Sequence, residues 1–295
     1  MDCLPFAFVD DVIHHVSRKS VSSLQNLNSG LWSTLARDHA KKRRDFTLEV
    51  LLFYGGEFLC TLQPVDGGRR YVQLPPNVEL AYVRIQTIIL ENNASPVFQH
   101  TKITFEALIK SLAPLKPLLN TVTSIDIRMA KYKDKSLNEE HMKHFKNLQF
   151  LWKIPIRQLV RRCGPEEVLS WHAESNPNLE EVHGTLNPVF AEKSIKGGLM
   201  ITSYYIYIDP DLIEFVGAWR QNRKAASIVL IGIIKRFRGD CALLEFFRDQ
   251  KHDFGSEWTE TKEVGDVFAV GNVHRSFEMK HPCADASLRL YALHL

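Results

Sequence analysis

The chain has little of what usually names a function outright. Its five cysteines, Cys3, Cys60, Cys163, Cys241 and Cys283, are scattered over 295 residues. The number is odd and no two stand in C-x-x-C spacing, so neither a disulfide framework nor a structural zinc set is indicated, and ordinary thiols in a reducing compartment are expected. There is no G-x-x-x-x-G-K-[ST] and no G-x-G-x-x-G; the doublets Gly67-Gly68 and Gly197-Gly198 read as turns. No stretch reaches the ~18 apolar residues of a membrane helix. Met1-Asp2-Cys3 lacks a basic leader, and Asp10-Asp11 breaks the first apolar run. A soluble, intracellular protein of the cytoplasm, the nucleus or both is expected, in which the tripeptide Asn93-Ala94-Ser95 stays unglycosylated.

Charge of one sign is also missing. The net charge is +3, with 7 Lys and Arg against 5 Asp and Glu in residues 1–45, leaving 30 against 29 beyond. Neither part carries the field of a nucleic-acid binder. The densest run, Lys41-Lys42-Arg43-Arg44, reads either as a solvated helix end favoured by the helix dipole or as a nuclear-import signal. Catalytic patterns are thin as well. His141-x-x-His144 puts two imidazoles on one helical face beside Glu139 and Glu140, which reads as solvated histidines, or as part of a metal site if a third ligand came from elsewhere. No Cys-His pair is marked by a local motif. No cofactor and no metal are expected, and the chain does not read as an enzyme.

What is present is a patterned N-terminus. Val9, Val12, Ile13 and Val16 follow i, i+3, i+4, i+7 spacing and share one helical face. Pro5 stands at or just before the first turn, where a helix tolerates it. The polar run from Ser17 to Ser20 ends this helix, with Ser20 as the expected N-cap of a second that carries Val21, Leu24 and Leu27. Asn28-Ser29-Gly30 interrupts again, and Leu31, Trp32, Leu35 and Ala36 begin a third. Three short helices are expected.

With Leu4-Pro5 at one end and Trp32 at the other, residues 4–36 resemble a divergent F-box. Leu4, Pro5, Val12, Ile13, Val16, Leu24 and Trp32 match the family pattern by position. Together with the segments 32–46 and 151–160, the whole chain is similar to members of the nematode expansion of F-box-like proteins. The resemblance implies an adaptor of a Skp-cullin-F-box ubiquitin ligase. The helices would dock a Skp-type subunit through Leu4, Pro5, Val9, Val12, Ile13, Val16, Leu24 and Trp32, and the rest of the chain would bind a protein substrate. The other reading is a non-catalytic binding or structural module, its helices packed on its own α/β domain, with no ligase connection.

The periodicity switches at Lys41 to Asp45, which sets the expected division: a helical module over 1–45 and an α/β domain over 46–295, mixed α and β in class. Strand patterns at Phe46 to Phe53 and Glu57 to Leu62 flank Tyr54-Gly55-Gly56 as a hairpin, and Asp66-Gly67-Gly68 precedes another strand at Tyr71 to Leu74. A helix follows at Phe105 to Leu112, ended by Pro114 and Pro117, then a strand at Val122 to Ile127. Helices are expected at Glu139 to Phe145 and at Leu159 to Cys163. Val122-x-x-Ile125-x-Ile127, Leu148-x-x-Leu151 and Leu179-x-x-Val182-x-Gly184-x-x-Asn187 share a loose form at intervals near the ~20–29 residues of leucine-rich repeats. A generic α/β domain produces similar strings. Further on, strands are expected at Leu199 to Ile201, Tyr204 to Ile208, Ser227 to Ile234, Val264 to Val270 and Leu288 to Leu293. A helix carrying Leu212, Phe215, Val216 and Trp219, and a short apolar segment at Leu243 to Phe247, complete the expected elements.

Overall fold

A computed structural model describes residues 5–76, 78–92, 102–129, 139, 143–144, 146–152, 154–163, 176, 178–184, 186–192, 198–207, 212–235, 258–261, 265–266 and 272–293. Leu4, His141, Asn93-Ala94-Ser95 and the Leu243 to Phe247 segment lie outside the described residues. The class is mixed α/β. The chain divides into two compact units, 1–126 with 132–146, and 127–131 with 147–295. The boundary expected after residue 45 is therefore not where the units part.

In the first unit, helices α1 (Phe6–His15), α2 (Arg18–Leu24) and α3 (Gly30–Lys42) precede strands β1 (Arg44–Leu52), β2 (Phe58–Pro64) and β3 (Val83–Asn92). Strand β1 is central, antiparallel to β2 with Leu48 opposite Leu62, and parallel to β3 with Leu48 opposite Ile88. Nearly every β1 side chain is buried, because both sheet faces are covered. The turn from β1 to β2 needs Gly55 and Gly56 at φ +78° and +72°, conformations that cost a side chain. At Gly56 an added Cβ would also stand 2.6 Å from the His144 ring. His144 packs edge-on against Phe58, so the described half of the His141-x-x-His144 pair serves packing.

Three expectations are corrected here. Tyr71 to Leu74 is not a strand: only Tyr71 makes a bridge, exchanging two backbone hydrogen bonds with Leu62 at 2.7 and 2.9 Å. Strand β3 had no place among the expected elements. Pro114 and Pro117 do not stop helical winding after α4 (Phe105–Leu112); they tighten it into a 3-10 helix, Ala113–Thr121. Pro114 falls in the first turn, where an N–H has no intrahelical acceptor, while Pro117 lies inside the segment.

Strand β4 (Ser124–Met129) buries Ile125 and Ile127, and Val122 is buried just before it at the end of the 3-10 helix. In the second unit β5 (Gln158–Cys163), β6 (Glu181–His183), β7 (Leu199–Tyr207) and β8 (Ile228–Lys235) pair in chain order, each parallel to the last. The helix expected at Leu159 to Cys163 is thus a strand; a short apolar run fits either period, and its pairing with β6 decides. The expected repeat segment Leu148-x-x-Leu151 is not a strand either, since Gln149–Trp152 is a helical turn. Helix α5 (Ile213–Gln221) buries Phe215, Val216 and Trp219 as expected. Trp219 is fixed by its indole donating to Ala226 O at 2.9 Å, while His281 packs edge-on at 4.8 Å. Strand β12 (Ser287–Leu293) adds parallel to β8, and β11 (Asn272–Lys280) antiparallel to β12. Strands β9 (Trp258–Thr261) and β10 (Gly265–Asp266) pair with β11.

Leu48, fully buried between two partner strands, should be among the costliest residues to truncate. Leu48→Ala is expected to lose about 2–5 kcal/mol of stability in urea unfolding. Lys41→Ala, at an exposed position, should stay within about 0.5 kcal/mol.

Candidate functional site: the N-terminal helices

The three expected helices are present, and they have a core of their own. Val9, Ile13, Val21, Trp32, Leu35 and Ala36 are buried together, with Val12, Val16, Leu24 and Leu31 half-buried against them. The apolar face of α1 is therefore not waiting for an outside cover. Trp32, Leu35 and Ala36 of α3 supply it. Of the described residues expected to dock a partner, Val9, Ile13 and Trp32 are inside this core, Val12, Val16 and Leu24 line it half-buried, and Pro5 is exposed at the N-cap of α1. The sequence reading missed Phe6 and Phe8, 60% and 51% exposed, the two most exposed large aromatics of this helix. The helical angle marks only one of them: Phe8 lies about 100° from Val9 and off the Val9 and Ile13 stripe, whereas Phe6, three residues before Val9, is on the stripe's side and stands in the first turn.

The expected N-cap is corrected by three residues. Ser17, not Ser20, caps α2, its hydroxyl accepting from Ser20 N at 3.1 Å. The capping hydroxyl must precede the first helical residues whose N–H groups it satisfies, and Ser20 is already inside the helix.

The helices are held to β1 and β3 by buried charge. Arg43 is fully buried. Its Nε donates to Asp45 Oδ1 at 2.9 Å and its Nη1 to Val16 O at 2.8 Å, at the C-terminal end of α1. Arg84 of β3 donates to the same carbonyl at 2.6 Å. Two guanidinium groups thus meet the negative end of the α1 dipole, where cations are favoured. Asp45 also accepts from Gln86 Nε2 at 2.7 Å. Arg18 adds an outer pair with Asp66 at 2.7 Å, but both side chains are about half exposed, so this contact is screened and weak. Because Arg43 is buried and Lys42 is paired with Glu79 and stacked over Tyr82, the run Lys41 to Arg44 does not present four charges together.

A histidine group sits beside this clamp. His39, fully buried, is bonded through Nε2 to Asp10 Oδ1 at 2.9 Å, and its ring lies edge-on to Tyr82 at 5.1 Å and His14 at 5.9 Å. Burial pushes the His14 imidazole below its usual range, and the neighbouring His15, His39 and Arg43 push the same way, against Asp10. Among the described residues no group of three His, Cys, Asp or Glu is arranged to hold a metal ion. Among them, too, no helix is long and apolar enough to cross a membrane. Comparisons with protein-family models, with curated proteins and with solved structures gave no match.

Two outcomes follow for this region. Asp45→Ala strands a buried Arg43 and is expected to cost about 3–5 kcal/mol, whereas Asp66→Ala should cost under about 1 kcal/mol, both read by denaturant unfolding. His14 binds its proton less readily in the fold than in the unfolded chain, so the unfolded chain takes it up first as pH falls. Its contribution is complete above pH 6.5 and is lost as pH drops below that value. The loss in melting temperature between about pH 7.5 and about pH 5 should therefore be smaller in His14→Gln than in the parent chain. Equal losses in the two proteins would remove His14 from the acid response.

Proposed function

We propose that the chain is a substrate-recognition adaptor of a Skp-cullin-F-box type ubiquitin ligase, with no chemistry of its own. The helices dock a Skp-type subunit and the remaining α/β part, leucine-rich-repeat-like in its run of parallel strands β5 to β8, binds a protein substrate. The observation that carries this reading is the self-sufficient three-helix core with Phe6 and Phe8 left outside it. A pair of half-exposed phenylalanines on one short helix is what an aromatic anchor for a partner pocket requires. The docking surface is accordingly the first turn of α1, with Pro5, Phe6 and Phe8 exposed there, and not the buried Val9 and Ile13.

The alternative, a binding or structural module with no ligase connection, draws on the buried clamp of Arg43, Asp45 and Arg84, which makes the helices part of the first unit. The two readings separate in a co-purification with a Skp-type subunit. On the adaptor reading the full chain captures the subunit, and Phe6→Ser/Phe8→Ser loses most of that capture while melting as the parent does. Replacing Ile13 by Glu would not test docking, because it buries a carboxylate in the helical core and unfolds it. A parent chain that fails to capture the subunit, or a double variant that captures it equally, contradicts the reading.

A further inference from the structure

Two adjoining hollows open at the outer edge of β2, of about 510 Å³ and about 290 Å³, and Tyr71 lines both. Tyr71 is held there by its double backbone bridge to Leu62 and by its ring meeting Phe46 edge-on at 6.4 Å. The smaller hollow is walled by Phe46, Pro64, Pro75 and Val78, and the larger by Val72, which is 55% exposed. The groove is thus mixed, these apolar side chains standing beside Arg44, Asp45 and Asp66 in the smaller hollow and Arg69, Arg70 and Gln73 in the larger. Its charges are unequal. Every carboxylate near it is already engaged: Asp45 is buried and bonded to Arg43 and Gln86, Asp66 is bonded to Arg18, and Glu49 is bonded to Thr61 and paired with Arg70. Arg44 and Arg69, one on each hollow and both exposed, have no carboxylate partner among the described residues.

We propose that this groove binds an extended acidic peptide, its apolar side chains entering the hollows on either side of Tyr71 and its carboxylates meeting Arg44 and Arg69. Charge complementarity selects the occupant: apolar hollows alone would accept many segments, whereas two guanidinium groups without a carboxylate partner among the described residues, Arg44 donating only to Arg43 O at 3.2 Å, favour carboxylates and repel basic chains. Arginine presents a planar fork that suits a carboxylate bidentately, so the two positions also set register. The proposal rests on the adaptor reading only for what the peptide is, a segment of the substrate; the groove itself is independent of α1.

The test is fluorescence anisotropy with the full chain and two labelled peptides, one alternating Leu with Glu and one alternating Leu with Gln. The acidic peptide is expected to bind at least about tenfold more tightly, and Arg44→Glu/Arg69→Glu to weaken it by about tenfold or more while leaving the neutral peptide unchanged. Both substitutions are at exposed positions, and the melting temperature checks the fold. If that variant melts early, Arg44→Gln/Arg69→Gln takes its place and the same loss is required. Equal binding of the two peptides, no binding up to about 1 mM, or no loss in the variants overturns the proposal. So does an oligothymidine that binds as tightly as the acidic peptide, since the surface would then be a general polyanion site. Capture of the Skp-type subunit by the arginine variant keeps the two questions apart. If the parent never captures it but still selects the acidic peptide, the adaptor reading falls and the groove stands.

Discussion

Arg43 meets three demands at one position. Its backbone closes α3, donating to His39 O at 2.9 Å, and the very next residue opens β1. Its guanidinium caps the end of α1 through Val16 O and holds Asp45 on the strand it introduces. A single connecting residue cannot turn a helix into a strand and tie a third element to both unless its side chain works as hard as its backbone, and a fully buried arginine is the consequence. That buried charge is offset by Asp45, itself held by Gln86, and by the Val16 carbonyl, while its Nη2 is buried without a hydrogen-bond partner among the described residues. Arg84 reaches the same carbonyl from β3, so strand, helix end and helix-to-strand junction converge on one oxygen.

That convergence sets what the helices can offer a partner. Their inner faces are used up, by the apolar core among themselves and by the clamp below it. The first turn of α1 remains exposed, and it carries Phe6 and Phe8. A further exposed surface of this unit with both apolar and charged character lies at the edge of β2, over Tyr71. Docking and substrate recognition would then occupy separate faces of the same unit, an arrangement in which either can be lost without the other.

Much of this was legible in the residues. The 3.6-residue spacing of Val9, Ile13, Val21 and Leu35 announces three helices, the alternation around Tyr54-Gly55-Gly56 announces β1 and β2, and the pattern of Phe215, Val216 and Trp219 announces α5. What spacing cannot say is whose surface covers an apolar face: Val9 and Ile13 have the same pattern whether α3 or another protein buries them. Leu159 to Cys163 is too short to distinguish a strand from a helix until β6 lies beside it. The alternation of Val83 and Ile85 with Arg84 and Gln86 did carry a strand signal that went unread, and the groove over Tyr71 was beyond reach because it joins residues far apart in the chain through a single backbone bridge.

The central claim is that α1 meets a Skp-type subunit with the exposed side chains of its first turn while Val9 and Ile13 stay in the helical core. Hydrogen exchange on the full chain, with and without the purified subunit, tests it most directly. The account predicts slowed exchange in peptides covering Pro5 to Val12, with no change over β5 to β8. Exchange over Pro5 to Val12 that is unaltered at saturating subunit, or accelerated as the core of Val9 and Ile13 opens to meet it, would contradict it.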